Sequence, residues 1–267
     1  MNYRPEISIV IPFHSTSVVE TVRSIEHCDD ISKCEIVLVG DGIAEGDITD
    51  VCASARMCCT LRVVAVPKCG IIGKLRNVGV LSAEAPRLYF IDSDCILESD
   101  VISRVLQQSD AAILKGRNRF LGRTWLSALD AQIRDQRYSA KPEFAYCPNL
   151  VVDRSVFDIV GMFDEALQYG SDGEFAKRLE ESGYAVRYDP KIVVYHDVTA
   201  KVGRVVWKWT KLGEARYYRY RREEVEDWWA TYFPNIYSLD RGLIYNVAAT
   251  ACNLGRGAGM LRAWMRK

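Results

Sequence analysis

Four apolar runs recur in the first third of the chain. They are ISIVIPF at residues 7–13, EIVLV at 35–39, LRVVAV at 61–66 and LYFI at 88–91. Continuous apolar runs rich in β-branched residues are typical of strands that are covered on both faces of a parallel sheet. Segments of helical length separate them, at about residues 16–27, 45–58 and 73–83. The pattern therefore predicts a βαβαβαβ order and a doubly wound, mostly parallel α/β sheet flanked by helices.

The second half of the chain is less regular. It predicts a mixed helix near residues 124–138, a strand at 144–153, a short helix at 155–160 and a loop that closes at Gly161. Residues 172–182 have the amphipathic pattern of a helix, which stops at Gly183. We expect a strand to follow, at 184–188 or at 192–195, and to end at His196.

The last quarter of the chain has a different character. Four tryptophans lie among arginines within residues 204–229, namely Trp207, Trp209, Trp228 and Trp229. Residues 243–254 form an apolar stretch with small residues, shorter than the roughly 20 residues that span a bilayer, so at most it lies on a membrane. We therefore predict a main domain at residues 1–200, with halves at about 1–100 and 101–200, and a basic, Trp-rich helical C-terminal extension at 201–267.

Composition and charge refine this picture. With 49% hydrophobic and 26% charged residues, the chain has the composition of a folded protein. Its formal net charge is zero, yet residues 201–267 contain 13 Lys and Arg against 6 Asp and Glu. Basic segments meet phosphates, anionic lipid surfaces or nucleic acid, although a solvated helical face has the same composition. No recognised nucleic-acid module accompanies the charge, so no nucleic acid is expected as a partner.

The beginning of the chain and its cysteines predict a cytoplasmic protein. Met1 to Arg4 lead directly into the first apolar run, without the basic, apolar and small-residue regions of a secretory signal. The nine cysteines are odd in number and form no C-x-x-C pair, a pattern typical of a reducing compartment. The adjacent Cys58 and Cys59 are interpreted as ordinary packing residues.

Acidic residues follow two of the apolar runs, where ligands of such sheets bind. Asp92, Ser93 and Asp94 come directly after the fourth run, and two carboxylates at a turning strand end can reach one hard cation. Mg²⁺ or Mn²⁺ takes one or two carboxylates together with phosphate oxygens, which suits a diphosphate leaving group. Asp41, between two glycines after the second run, can accept from a base or ribose donor. The alternatives are ordinary turns with solvated acids.

Seven segments occur in the order seen in one enzyme family. They are ISIVIPFH, EIVLVGDG, GKLRNVGV, YFIDSDCIL, the segment Asn149–Leu167 with VGMFDEAL, SDGEFAKRLEESG and VVYH. Over about residues 5–200 the chain resembles family 2 glycosyltransferases with the GT-A fold, which are inverting and use nucleotide-sugars. The resemblance implies a nucleotide-sugar half at about 1–100 and an acceptor half at about 101–200.

The resemblance also implies roles for individual residues on the donor side. It implies a base pocket lined by Pro12, Phe13 and Asp41, and contacts to the nucleotide or diphosphate from Lys74 and Arg76. Asp92, beside Ser93, would contact the ribose and the metal. Asp94 would be the direct metal ligand. His196 is implied as a third metal ligand or a diphosphate contact, with a satisfied histidine at a strand end as the alternative.

On the acceptor side the resemblance points to Asp172. This residue stands where the family has the acid that acts as general base on the acceptor hydroxyl, while Ser171 replaces the glutamate that precedes it in the family. A hydroxyl is a poor nucleophile at neutral pH, so a carboxylate must take its proton during attack. The alternative is a carboxylate that only stabilises the start of a helix.

The resulting expectation is a metal-dependent, inverting glycosyltransferase. It would move a sugar from a UDP-sugar to a saccharide, lipid-linked or other hydroxyl acceptor in glycoconjugate or polysaccharide synthesis. The Q-x-x-R-W motif and membrane helices of processive members are not found, so we expect non-processive transfer. The basic extension would bring the enzyme to the inner face of the membrane, or it would only be a helical cap packed on the catalytic domain, with the tryptophans as its core. The alternatives are a nucleotidyltransferase acting on sugar phosphates and a non-catalytic protein that binds nucleotide-sugars.

Overall fold

The computed structural model describes residues 4–15, 18–44, 46–47, 53, 59–198, 207, 209–214 and 242–265. The chain divides into two compact units. The first comprises Met1–Arg119 and Pro142–His196, and the second comprises Phe120–Lys141 and Asp197–Lys267. Residues 120–141, which the sequence places in the main domain, thus group with the C-terminal segment.

The described residues form an eight-stranded sheet with helices between its strands. The strands are β1 (Ile7–Phe13), β2 (Cys34–Asp41), β3 (Thr60–Val66), β4 (Arg87–Phe90), β5 (Cys95–Leu97), β6 (Ile113–Leu121), β7 (Leu150–Asp153) and β8 (Arg187–Asp197). The helices of the first unit are α1 (Val18–Glu26), α2 (Ile72–Ser82), α3 (Val101–Leu106), α5 (Arg154–Val160) and α6 (Ser171–Glu181), and α4 (Trp125–Ser139) belongs to the second unit.

The α/β class is confirmed, and the parallel arrangement holds for half of the sheet. The strand order is β3-β2-β1-β4-β7-β6-β8-β5, and the pairs β3-β2, β2-β1 and β1-β4 are parallel. Beyond β4 the pairs β4-β7, β7-β6 and β8-β5 are antiparallel. The four apolar runs found in the sequence are the four parallel strands.

Both faces of the parallel half are buried, as continuous apolar runs require. Along β1, Ile9 and Ile11 point into one hydrophobic cluster and Val10 points into the other. Helices α1 and α3 cover the first face, and α2, α5 and α6 cover the second. Helix α1 buries Val18, Thr21, Val22 and Ile25, the spacing that brings side chains to one side of a helix.

Several predicted boundaries in the second half were wrong. The strand predicted at 144–153 is confined to β7, because Pro148 has no N–H to donate and Asn149 has a left-handed φ of 63°. Of the two alternative strands, 192–195 lies wholly within β8, whereas 184–188 enters β8 only at residues 187–188. Strands β5 and β6 and helix α3 were not predicted. The helix predicted at 45–58 lies mostly outside the described residues.

The second unit is helical in its described C-terminal part. Residues 209–214 are helical, and a helix spans Gly242–Met265, here called the C-terminal helix. Two glycines permit close approach of these helices: a Cβ on Gly213 would lie 2.1 Å from the Arg256 oxygen, and one on Gly259 would lie 1.9 Å from the Thr210 oxygen. The Arg256 guanidinium stacks 4.2 Å from the ring centre of Trp209.

In the part of the chain that the structure describes, no helix is both long and apolar enough to cross a membrane. Of the four tryptophans noted in the sequence, Trp207 is half exposed and Trp209 is buried. Trp228 and Trp229 lie outside the described residues.

Candidate active site

The polar residues that follow the strands share one edge of the sheet. Strands β1 to β4 are parallel and adjacent, so the segments after their carboxyl ends lie side by side. This edge carries Asp41 at the end of β2 and the pair Asp92 and Asp94 after β4. The structure therefore places these acids at the edge where doubly wound sheets bind their ligands.

Asp41 is buried and organises the loop that follows β3. Its carboxylate accepts hydrogen bonds from the backbone N–H groups of Cys69 at 2.7 Å and Gly70 at 3.1 Å. Burial alone would raise the pKa of Asp41, but these hydrogen bonds and Lys68 outweigh it and hold the pKa below its ordinary value. Asp41 is thus ionised at neutral pH.

Asp92 is paired with a buried arginine. Arg76, on α2, approaches Asp92 with Nη2 at 3.1 Å from Oδ1, and its guanidinium lies 5.7 Å from the ring centre of Phe163. Burial lowers the pKa of Arg76, but Cys147, Asp92 and Asp172 raise it by more, so that the net direction is upward. The cation is therefore fixed within a group of acids rather than solvated.

Asp94 lies beyond Asp92 and points toward a histidine. Its Oδ1 is 2.9 Å from Nε2 of His196, which lies in β8. The Asp94 side chain is 51% exposed and that of His196 is 11% exposed. The thiol of Cys95 completes a cluster in which one ligand atom from each of the three residues lies within 4.8 Å of the others.

Asp172 lies in the first turn of α6, the helix that begins directly after Gly170, whose φ is 79°. Its Oδ1 accepts a hydrogen bond from the N–H of Gly173 at 2.8 Å. Asp92 and Asp172 both act electrostatically on Arg76 and on the buried Lys115. The first unit thus brings an acid from the second half of the sequence into the same charge network as the strand-end acids.

Two side chains fix the loop that leads to Asp172. Asn77 donates to the Phe163 oxygen at 2.9 Å and accepts from the Phe163 N–H at 2.9 Å. Arg178 donates to the backbone oxygens of Val160 and Met162 and pairs with Glu174. The backbone that connects α5 to α6 is therefore held by hydrogen bonds from a side chain of α2 and a side chain of α6.

Ser171 packs inside the protein. The residue is fully buried, and its hydroxyl has no hydrogen-bond partner among the described residues. A Cβ built on Gly73 would lie 3.1 Å from both Cβ and Oγ of Ser171. The serine that replaces the expected glutamate thus fills the contact between α2 and α6.

The remaining predicted residues differ in their surroundings. Pro12 and Phe13 are buried at the end of β1, and Phe13 belongs to the hydrophobic cluster on the α1 side of the sheet. Lys74 is partly exposed in the first turn of α2, and Ser93 is partly exposed in the turn between β4 and β5. In this structure the Phe13 side chain therefore packs in the hydrophobic core at the end of β1.

The sequence reasoning missed a buried lysine beneath the site. Lys115, on β6, donates from Nζ to the oxygens of Pro148 at 2.8 Å and Asn149 at 3.2 Å. Burial lowers the pKa of Lys115 to about 7, although Cys147, Cys95, Asp172 and Asp92 oppose the shift. The available signal was a lysine directly after the apolar pair Ile113 and Leu114.

Asn149 was also missed. It holds three strands together, because its amide accepts from the Tyr89 hydroxyl at 2.8 Å and donates to the oxygens of Arg117 at 3.1 Å and Ile192 at 3.0 Å. One of the segments that carry the resemblance begins at Asn149, but nothing in the sequence indicated this role, since its partners lie 32 to 60 positions away.

The donor atoms at the strand ends fit a divalent cation. Asp94 is open to solvent, and His196 directs a ring nitrogen to the same position. Asp92 reaches the turn as well, but its Oδ1 is engaged by Arg76. Mn²⁺ and Mg²⁺ are bound by one or two carboxylates together with phosphate oxygens and waters, which the two acids at this turn can supply.

Comparison with known proteins gives one group of sequence relatives. No family model matches the chain. The chain is 25% identical over 211 residues to the pre-mycofactocin glycosyltransferase of Mycobacterium tuberculosis, in a match that covers 72% of this chain and 43% of the relative. The chain thus spans less than half the length of the curated relatives that it matches.

Solved structures show a closer likeness in fold. The mannosyltransferase PcManGT from Pyrobaculum calidifontis, in complex with GDP-Man and Mn²⁺, superposes with a TM-score of 0.75 at 14% identity, covering 100% of this chain and 89% of PcManGT. Residues 1–349 of S. aureus TarS, in complex with UDP-GlcNAc, give a TM-score of 0.60 at 16% identity, covering 83% and 68% of the two chains. The chain therefore has a GT-A-like α/β fold shared with glycosyltransferases, and it is related in sequence to one of them.

Proposed function

We propose that the protein is an inverting, metal-dependent and non-processive glycosyltransferase of the family 2 type. It moves a sugar from a nucleotide-sugar to a hydroxyl acceptor in glycoconjugate or polysaccharide synthesis. In this proposal the first hundred residues supply the donor side, through Asp41, Arg76, Asp92 and Asp94. The second hundred supply the acceptor side, through Asp172.

The observation that carries the proposal is the common charge network of Asp92, Asp172 and Arg76. A solvated turn and a simple helix-stabilising carboxylate would have no reason to share a buried arginine. Arg76 is 4% exposed, it pairs with Asp92 of the donor half at 3.1 Å, and Asp172 of the acceptor half is one of the charges that raise its pKa. Transfer between two substrates needs such an arrangement, because donor and acceptor must meet at one carbon atom.

The chemical step uses Asp172 as general base. Its carboxylate takes the proton of the acceptor hydroxyl while the hydroxyl oxygen bonds to the anomeric carbon. The bond from that carbon to the diphosphate oxygen breaks on the opposite side, and the nucleoside diphosphate leaves with the electron pair. One displacement inverts the anomeric centre. Arg76 and Lys74 provide positive charge for the leaving diphosphate.

The proposed cofactor is Mn²⁺ or Mg²⁺, held by Asp94 with His196 and Asp92. When bound, the ion neutralises negative charge on the diphosphate. Asp92 serves the ribose as well, with Arg76 fixing the orientation of its carboxylate. Pro12, Phe13 and Asp41 form the base side of the donor site, and Ser93 contacts the diphosphate.

The proposed donor is a UDP-sugar, and a panel of nucleotide-sugars tests this choice. The panel includes GDP-mannose and UDP-GlcNAc, because PcManGT and TarS are bound to these molecules. Binding is measured by thermal shift, and turnover is measured as metal-dependent hydrolysis. We expect stabilisation and release of nucleoside diphosphate with Mn²⁺ or Mg²⁺ present.

Two variants separate the proposed roles. Asp94→Ala should lose metal-dependent donor binding, whereas Asp172→Ala should keep donor binding and lose transfer by about 10²-fold or more, the usual contribution of a general base. Equal loss of donor binding in both variants would overturn the assignment. Release of pyrophosphate would indicate a nucleotidyltransferase, and donor binding without turnover would indicate a binding protein.

We also propose that residues 201–267 contact an anionic membrane, where a lipid-linked acceptor would reside, at the cytoplasmic face. These residues include 13 basic and 6 acidic side chains, and this excess of positive charge supports an anionic partner.

The C-terminal helix has an exposed apolar stripe at Leu243, Val247, Leu254, Leu261 and Met265. An apolar cavity of about 280 Å³ lies beside it, lined by Trp125, Ile133, Trp209 and Ile244 among others. Basic and apolar groups together are typical of surfaces that lie on membranes.

A further inference from the structure

The second unit contains a cavity between two helices that the candidate active site does not use. The side chains of α4 that line it lie at positions 125, 126, 129, 130 and 133, and those of the C-terminal helix lie at positions 244, 247, 248, 251 and 252. Both spacings bring side chains to one side of a helix. Ala248 and Ala251 are small, so an apolar space of about 280 Å³ remains between the helices, with Trp209 as a further wall.

Two polar groups belong to the wall of this apolar cavity. Asp130 is 4% exposed, and Arg134 donates to its Oδ2 from Nε at 2.9 Å and from Nη2 at 2.8 Å. The Oδ1 atom of Asp130 is buried and has no hydrogen-bond partner among the described residues. In the same described part of the chain, Nε1 of Trp209 is buried with no partner beyond the nearby sulfur of Cys252, which is a weak acceptor.

The thiol of Cys252 links these two groups. Burial, and after it the Asp130 carboxylate, raise the pKa of Cys252 to about 12, while the Trp209 side chain acts on the same thiol in the opposite direction. Cys252 is therefore a neutral thiol at physiological pH, and the acid and the indole both lie close to it.

A buried carboxylate oxygen without a partner in an apolar cavity indicates a missing donor. Buried polar groups are nearly always hydrogen-bonded, because leaving water without a new partner is costly. Arg134 balances the charge of Asp130, but its two N–H groups go to Oδ2. Apolar cavities stay dry and take up apolar molecules. The missing donor should therefore belong to a ligand with an apolar body.

A hydroxyl group fits the two buried atoms. Its O–H can donate to Oδ1 of Asp130, and its lone pairs can accept from Nε1 of Trp209. A carboxylate would be repelled by Asp130. An ammonium group has no lone pair for the indole N–H, and it would leave an excess positive charge in the cavity, because Arg134 already balances the acid.

We propose that this cavity binds an aliphatic chain of about ten carbon atoms that ends in a hydroxyl group. An engineered protein cavity of about 150 Å³ binds benzene. At the same volume per atom, the space of about 280 Å³ holds roughly eleven non-hydrogen atoms. The chain lies between α4 and the C-terminal helix, and its hydroxyl bonds to Asp130 and Trp209. The cavity shares no residue with the candidate active site, so this inference does not rest on the proposed function.

The alcohol 1-decanol and its isomer methyl nonyl ether test the hydroxyl, because only the alcohol can donate a hydrogen bond. Isothermal titration calorimetry on the purified full-length protein measures both, with decanoate as an anionic probe. We expect 1-decanol to bind at one site, at least about tenfold more tightly than the ether or decanoate, which is the contribution of one hydrogen bond to a charged group. Equal affinities for the alcohol and the ether, or no saturable binding of the alcohol, would overturn the proposal.

Variants of the two polar residues assign this preference. Asp130→Ala should lower the affinity for 1-decanol to that for the ether, and Trp209→Phe should lower it by a smaller factor. The matched control is Asp100→Ala, because Asp100 also pairs with an arginine four residues later, Arg104, but in the first unit. It should keep the preference for the alcohol. A preference that survives in Asp130→Ala would contradict the assignment.

Filling the cavity gives a test that does not depend on the folding of the Asp130 variant. Ala251→Leu should abolish the binding of 1-decanol, whereas Ala258→Leu, at another exposed alanine of the same helix that does not line the cavity, should keep it. Thermal unfolding without probe verifies that each variant is folded. Full binding in Ala251→Leu would place the alcohol elsewhere and refute the site. The titrations contain no nucleotide-sugar and no vesicles, so their outcome is separate from those of the proposed transfer and the proposed membrane contact.

Discussion

Lys115 shows how a single buried charge affects the stability of the protein. The unfolded chain keeps a lysine pKa of 10.5, whereas burial lowers the pKa in the fold to about 7. Between these values the unfolded chain binds more protons than the folded chain, so the free energy of unfolding rises with pH. Below pH 7 both states are protonated and the buried ammonium weakens the fold.

We predict that Lys115→Met removes this dependence. In the wild-type protein the slope contributed by Lys115 is at most about 1.4 kcal/mol per pH unit. Urea unfolding at several pH values between about 6.5 and 7.5 measures it, because most cysteine thiols of the unfolded chain, with an ordinary pKa of about 8.5, are still protonated there. The methionine variant should show a flatter profile whatever its absolute stability. An unchanged slope in the variant would show that Lys115 is not the group responsible.

Some polar residues near the candidate site could be recognised from the sequence, and others could not. The positions of Asp41, Asp92 and Asp94 at the strand ends could be predicted, because acids directly after apolar runs are easy to recognise in the sequence. Lys115 and Cys95 were missed because a lysine or a cysteine beside apolar residues has the pattern of ordinary packing. Their significance depends on neighbours from β7 and β8, and no spacing in the sequence encodes those contacts.

At the scale of elements, the position of α6 depends on Arg178. The arginine ties α6 to the carbonyl groups of Val160 and Met162, and Asp172 lies at the other end of the same helix. Without the Arg178 guanidinium, two backbone oxygens and the Glu174 carboxylate lose a charged hydrogen-bond donor. Groups left unsatisfied in this way cost about 1 to 3 kcal/mol.

We predict that Arg178→Met lowers the free energy of unfolding by about that amount and reduces kcat more than it changes donor binding. The matched control is Arg187→Met, since Arg187 also makes two hydrogen bonds to one carboxylate, that of Asp110, but on an exposed surface. Exposed pairs contribute little, so the control should be close to wild type. Denaturant unfolding and donor titration compare the two variants. Equal losses in both would remove the special role of Arg178.

The strands also show which elements a sequence pattern can predict and which it cannot. The parallel strands were predicted because their runs are apolar on both faces, even though β1 pairs with β4 eighty positions later. Strand β5 has only three residues, and its partner His196 is about a hundred positions from Cys95. Such pairing is decided by tertiary contacts that local propensity does not contain. Pro148 and Asn149 restrict the strand predicted at 144–153 to the residues that follow them, which form β7.

At the scale of the whole molecule, the proposed membrane contact can be tested without removing the C-terminal helix. That helix buries Tyr245, Ala249 and Cys252 in the core of the second unit, so a deletion would expose the core. Point substitutions on its outer side avoid this problem. Leu243 and Ile244 are 80% and 72% exposed.

We predict that the double variant Leu243→Ser and Ile244→Ser loses binding to vesicles of anionic lipid, by about tenfold or more. Full burial of each such side chain contributes about 1.5 to 3 kcal/mol. Leu81→Ser with Ile159→Ser is the matched control, because these residues of the first unit are 75% and 70% exposed. Co-sedimentation at low and high salt provides the measurement. Equal binding by both double variants would contradict a membrane contact through the C-terminal helix.

The grouping of residues 120–141 with the C-terminal segment was beyond the reach of the sequence. Helix α4 follows β6 directly, and nothing in its composition separates it from the helices of the first unit. Its buried Ile133 contacts a cluster contributed by residues more than 70 positions later, including Trp209 and Tyr245. Domain membership here follows from packing between distant segments rather than from a linker.

The contact between Gly73 and Ser171 limits which side chains position 171 can hold. Glycine already has the smallest side chain, so α2 has no further atoms to give up on that side. A glutamate at position 171 would force the two helices apart, and overpacked contacts of this kind are destabilising. Position 171 therefore accepts only small side chains as long as α2 and α6 keep this spacing.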